Sequence, residues 1–289
     1  MAQGSRGEDR GRGSGGRGGG GQGSVRDRVP VPRDARPGPR GRRPNYPPGR
    51  ADRLPEGGVR TVLHAALGRI RYGPALAIQH RLHALRREGK VGDVVLSLEH
   101  ESVITIGRRG DEVHILASRE DLERAGVEVF PVERGGDVTY HGPGQLVLYP
   151  IVDLRERGKD LHRYVGEIEE TMVVTARTFG VEAVRREGFP GVWHARGKLG
   201  SVGIHVRDWV TMHGLALNVD LDPDGFRWIV PCGIVGANAV SIADLAGVRI
   251  SVAAARDAAC AAFANVFGVE LLPVDGEVIA GWTRESRTG

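Results

Sequence analysis

The chain has 289 residues, with 40 Lys+Arg against 36 Asp+Glu, 44 Gly and two Cys. Twelve of the Arg and fourteen of the Gly fall in the first fifty residues beside only four acids, so the formal charge of +4 belongs to that tail and the remaining body is slightly acidic. These facts exclude a basic nucleic-acid surface on the body and a disulfide framework, and no apolar run reaches the ~18 residues of a membrane helix.

Residues 1–52 are rich in Gly, Arg and Pro and show no aliphatic periodicity. Such a segment cannot offset its ordering entropy by burial, so it is expected to be a disordered tail. Its Arg/Gly composition is the only feature of the chain suited to nucleic acid, and a plain solvated tail is the simpler reading. No apolar signal segment is present, and the expected compartment is the cytoplasm.

Residues 53–289 are expected to form the folded part. Residues 74–87 place Ile78, Leu82 and Leu85 at helical spacing, with Pro74 at the start and Gly89 beyond the end. Strands are expected at 93–98, 102–107, 127–132 and 145–152; the last is almost continuously apolar and so interior. The longest expected helix, 160–179, carries a stripe of Leu161, Tyr164, Val165, Ile168, Met172, Ala176 and Phe179, stopped by Gly180. Short strands follow at 181–185, 191–194, 198–206 and 209–219. A late helix spans 252–267, with Ser251 as N-cap and Gly268 past its end. Strands in runs with helices set apart indicate an α+β fold, a mixed β-sheet packed with helices on one side.

The densest punctuation is the run Arg134, Gly135, Gly136, Asp137, Val138, Thr139, Tyr140, His141, Gly142, Pro143, Gly144. Glycine lets backbone amides approach a ligand closely. The run is either a loop that wraps a small molecule or an ordinary connection between strands; it is neither a Walker A loop nor a dinucleotide fingerprint.

Cys232 sits between Pro231 and Gly233, on an expected loop, whereas Cys260 lies among alanines in a helix and reads as a small packed residue. Cys232 is either a buried thiol or a nucleophile, the latter only if a neighbour lowers its pKa. Only three of the 40 basic residues are lysine: Lys90, Lys159 and Lys198. A lysine can lose its proton where arginine cannot. Lys198 is therefore a candidate proton carrier, with a surface charge at a strand end as the alternative. His141 and His213, in Gly-flanked positions, are candidate partners for a cysteine or simply structural. The scattered histidines and absent paired CxxC give no metal site, and no cofactor motif is present. Thr211 and Asn218 are polar positions on an otherwise apolar strand.

The segments 134–154, 191–193, 197–206, 210–222 and 231–242 together resemble the lipoyl(octanoyl) transferase family, in order over roughly residues 60–270. The resemblance implies a fold like the catalytic domain of lipoate and biotin protein ligases over 53–289, and no cofactor. It implies that Cys232 accepts the acyl group and that Lys198 lowers its pKa. Substrate contacts would come from Arg134 to His141, from Ser201, Val202 and Gly203, and from Gly214, Leu215 and Ala216. The implied donor is octanoyl-acyl carrier protein. The implied acceptors are lipoyl domains of 2-oxoacid dehydrogenase complexes and the glycine cleavage H protein. An ATP-dependent lipoate–protein ligase of the same fold is the alternative. Leu148 stands where the family often has a small residue, which would narrow an acyl pocket, and Asp208-Trp209 replaces a commoner Arg-Gly-like pair. Arg108, Arg109, Arg134, Arg185 and Arg186 are candidates for attracting acidic partners.

Overall fold

A parallel βαβ unit opens the described chain: β1 (Arg60–Ile70), α1 (Tyr72–Arg87) and β2 (Val94–His100). Parallel neighbours require a crossover, and α1 supplies it. This computed structural model describes residues 58–230 and 238–284. The chain divides into Met1–Pro44 and Asn45–Gly289, and every described residue belongs to the second unit. The expected tail and Cys232 lie outside the described residues. Helix α1 starts two residues before Pro74, which fits because proline is tolerated in a first helical turn. Arg86 and Arg87 in its last turn favour the carbonyl end.

Next come β3 (Val103–Ile106), α2 (Arg119–Arg124), β4 (Glu128–Pro131) and β5 (Val138–His141). They make a separate three-stranded sheet in the order β4-β3-β5. The glycine-rich run is thus not one loop, because its second half is a buried strand antiparallel to β3.

β6 (Gln145–Ile151) leads to α3 (Leu161–Thr178), then β7 (Val184–Arg186), β8 (Phe189–His194), β9 (Gly197–Arg207) and β10 (Val210–Asn218). The β9–β10 hairpin turns at Asp208 and Trp209, with φ of 52° and 64°. Left-handed conformation at both positions matches the twist of tight hairpins. After residue 238 come α4 (Ile242–Ala246), α5 (Val252–Phe267), β11 (Val269–Val274) and α6 (Gly276–Arg284). Asp160 caps α3 and Ser251 caps α5, each accepting a first-turn N–H, and Gly268 ends α5 at φ 62°. No helix of the described residues is long and apolar enough to cross a membrane.

The large sheet runs β11-β1-β2-β6-β10-β9-β8-β7. Helices cover both of its faces, which corrects the one-sided expectation. Leu146 and Leu148 of β6 pack in one core with Tyr164, Ile168 and Met172 of α3 and Phe263 of α5. Val147, Tyr149 and Ile151, pointing the other way, pack with Ala75 and Leu82 of α1 and Ile279 of α6. A strand buried on both faces needs apolar residues at every position, which explains why β6 reads as a continuous run.

Candidate functional site

The chain that follows β4 is laid across β9. The Gly135 N–H donates to Ile204 O at 2.9 Å. Arg134 turns inward and is 7% exposed; its guanidinium donates to Thr105 O at 2.7 Å and to Gly135 O at 3.0 Å. A Cβ on Gly203 would stand 2.9 Å from Arg134 Cδ, so this seat requires glycine. Asp137 accepts from its neighbour's Val138 N–H at 2.7 Å, and its other oxygen lies 2.8 Å from His114 Nδ1.

A half-open cavity of about 50 Å³ lies here. Its walls are Arg134, Gly136, Asp137, Val138, Thr139 and His141 on one side, Ser201, Val202 and Gly203 on β9, and His213, Gly214, Leu215 and Ala216 on β10. Tyr72 and Tyr149 complete it. Gly136, Asp137, Val202 and Gly203 also line an open groove of about 670 Å³, whose walls include Gly135, Lys198, Arg108, Arg109, Leu161, Val165 and Phe189. Lys198 shares a further small crevice with Thr139 and Ser201. Three separate stretches of sequence therefore meet around one space. β9 and β10 pair directly, with Ser201 opposite Ala216, Val202 opposite Leu215 and Gly203 opposite Gly214.

Lys198 is not an exposed strand-end charge: it is 9% exposed, and its ammonium lies 5.2 Å from the centroid of the Trp193 ring. Its N–H donates to Asn238 O at 2.8 Å, and its carbonyl accepts from Val240 N–H at 3.0 Å. Asn238 is the first described residue after 231–237. Val230, the last one before that segment, donates its N–H to His114 O at 2.8 Å, and His114 in turn meets Asp137. Thr211 and Asn218 are internal ties: Thr211 donates to Pro150 O and Asn218 to Val240 O.

Burial holds the rings of His100, His141 and His213 below the usual imidazole range. His141 Nδ1 donates to Gln145 Oε1 at 2.7 Å, and burial, with His100 adding to it, holds the ring down to about 3. His100 donates to Ile70 O and lies 2.8 Å from the Tyr149 hydroxyl, and burial holds it down to about 4. His213 adopts φ 58° within a strand, and its N–H donates to Gln79 Oε1 of α1 at 2.9 Å. Its Nε2 stands 3.5 Å from Glu133 Oε1, and the ring holds that carboxyl well below the usual range.

Other residues named from the sequence take the following places. Tyr140 does not line the cavity; its hydroxyl bonds Ser102 and its ring packs on Phe226 and Trp228, in a space so tight that a Cβ on Gly225 would fall 2.1 Å from it. Arg134 is an internal strut and no docking charge. Arg185 is tied to Glu170 and Glu169, whereas Arg108 and Arg109 do border the groove. Leu148 is in the core under α3 and forms no part of the cavity wall, so it does not narrow it. Leu161, read as part of the core stripe, instead lines the groove. Cys260 lies 3.4 Å from His64 Nε2, and burial pushes its thiol up to about 11. Sequence reasoning missed Tyr72, Tyr149, Glu133 and Phe189, which carry no motif. Among the described residues, no three His, Cys, Asp or Glu are grouped so as to hold a metal ion.

Compared with known proteins, residues 71–264 match the family model of the lipoyl protein ligase A/B catalytic domain. The octanoyltransferase of Solibacter usitatus is 47% identical over 207 residues, covering 72% of this chain and 93% of that one. The octanoyltransferase of Caldicellulosiruptor bescii is 47% identical, covering 71% and 91%. Among solved structures, a bi-partite lipoate protein ligase from Thermoplasma acidophilum superposes with TM-score 0.64 at 16% identity over 78% of this chain and 91% of that one. A lipoate-protein ligase A bound with ATP gives TM-score 0.62 at 15% identity, covering 78% and 93%. At such identities the likeness to the ligases is one of fold.

Proposed function

Since the chain belongs to the octanoyltransferase family within the lipoyl protein ligase A/B catalytic-domain fold, and is an acyltransferase, we propose that it moves octanoyl groups by way of Cys232 and Lys198. The donor is the octanoyl thioester of acyl carrier protein, and the acceptor is a lysine of lipoyl domains. The observation that carries this reading is one cavity walled by Arg134, Gly136 to Thr139 and His141, by 201–203 and by 213–216, adjoining the groove and crevice that contain Lys198. Both described ends of the segment that contains Cys232 are tied to that place, Val230 through His114 and Asn238 to Lys198 itself.

The chemistry follows from these groups. The Cys232 thiol passes its proton to the Lys198 amine, and the thiolate attacks the thioester carbon. The donor's C–S bond breaks, and its thiolate takes the proton back from the Lys198 ammonium. The acceptor amine then attacks the acyl-enzyme, the Cys232–acyl bond breaks, and the amine's proton leaves through Lys198. A thioester replaced by an amide is downhill, so ATP is not needed. Backbone N–H groups at the glycine-rich segment can serve the tetrahedral oxyanion, a contribution of about 3–4 kcal/mol per donor.

The test is incubation with octanoyl-acyl carrier protein without ATP, followed by peptide mass mapping. An octanoyl increment on the peptide containing Cys232, lost in Cys232→Ala together with transfer, is expected. Transfer that persists in Cys232→Ala, or that needs ATP and free octanoate, overturns the reading and returns the ATP-dependent ligase.

A further inference from the structure

We propose, on the acyl-transfer reading above, that Tyr72 and His213 form an end stop that sets the length of the acyl chain this protein accepts. The cavity has a direction. At one end Thr139 and Ser201 are shared with the crevice that contains Lys198. At the other stand Tyr72, Tyr149 and His213, which are 1%, 4% and 2% exposed. Along β10 the lining runs from Ala216, opposite Ser201, to His213, opposite Ile204. Three residues of strand rise about 10 Å, so the lining extends from the crevice of Lys198 to these rings.

The shut end is rigid. The Tyr149 hydroxyl is held by His100, and His100 by Ile70 O; His141, whose ring stacks with Tyr72, is held by Gln145. His213 is a non-glycine residue at φ 58° inside a strand, a conformation that persists only where the surroundings enforce it. Its N–H is anchored on Gln79, and its ring, part of the cavity wall, stands 3.5 Å from Glu133 and edge-on to Tyr149. The space of about 50 Å³ is small beside the ~150 Å³ of an engineered apolar cavity that binds benzene. Only the last carbons of a chain fit there, and a longer chain meets fixed rings rather than solvent.

The experiment measures transfer rates from acyl-pantetheine thioesters of six, eight, ten and twelve carbons, using the full chain. His213→Asn shortens the side chain while keeping a residue that tolerates left-handed backbone, and Tyr72→Leu removes a ring. Each should raise the ten-carbon to eight-carbon rate ratio about tenfold, the size of a one- or two-methylene discrimination. Ala216→Val, which fills the passage before the end wall, should move the optimum toward six carbons. An unchanged length profile in Ala216→Val, or in folded His213→Asn, overturns the end stop while leaving acyl transfer standing. A wild-type protein inactive with all four donors, and with octanoyl-acyl carrier protein, overturns the acyl-transfer reading itself.

Discussion

Two buried polar clusters in this molecule are built in opposite ways. Where α1 meets the edges of β1, β2 and β6, charges are saturated. Arg86 donates to Asp93 at 2.8 Å and to Glu156 at 2.8 Å, Arg60 reaches the same two carboxylates, and Arg155 clasps Asp153 at 2.6 Å. Around the cavity His213 and Glu133 face each other at 3.5 Å, and the Lys198 Nζ lies over the Trp193 ring. Buried charge must be compensated. The first cluster compensates itself and joins elements together. The second gathers backbone strain at His213 and buried imidazole rings around a cavity.

The sharpest way to break this contrast is Lys198→Arg. Guanidinium keeps the charge but cannot give up a proton, so transfer should fall by about 10²–10⁴-fold, as in Lys198→Ala, with little change in the melting midpoint. Rates near wild type would show that charge alone suffices. Conversely, Arg86→Leu leaves Asp93 buried without a main partner and should cost about 3–5 kcal/mol in urea unfolding, while activity per folded molecule stays unchanged.

Acid should act on the second cluster through its neutral rings. His100 and His141 have folded pKa values below the unfolded 6.5, near 4 and 3. Their contribution is complete above about pH 6.5 and is lost as pH falls toward 3–4, because the unfolded chain binds the protons. At pH 5 each ring should already have lost about 2 kcal/mol. Urea titrations at pH 7.5 and pH 5 measure this, and His100→Gln should flatten the difference. The smallest effect is expected for Arg227→Ala, which removes an ion pair with Asp224 that is more than half exposed on both sides. Its cost should stay within about 0.5 kcal/mol.

The parts of the fold that could be read in advance are those whose information is local. α3 and α5 carry apolar stripes between capping residues, and β6 carries an unbroken apolar run. β1 escaped because its register shifts between Ala66 and Gly68, which breaks the alternation a strand should show. β5 was hidden inside a glycine-rich run, where turn residues outweigh four strand residues. Helices on both faces were not legible either, since a continuous run does not say which element lies above it and which below.

The amino-acid sequence by itself determined which residue types stand at the site, the scarcity of lysine that marks Lys198, and the small residues that let β9 and β10 come close to other chain. Tertiary structure alone decided that residues of 134–141, 201–203 and 213–216 line one cavity, that Tyr140 is not among them, and that His213 stands in its wall. The reason is physical. Those stretches are dozens of residues apart and meet only through strand order and pairing register, and a side chain's direction in a strained or bulged strand is set by what packs against it.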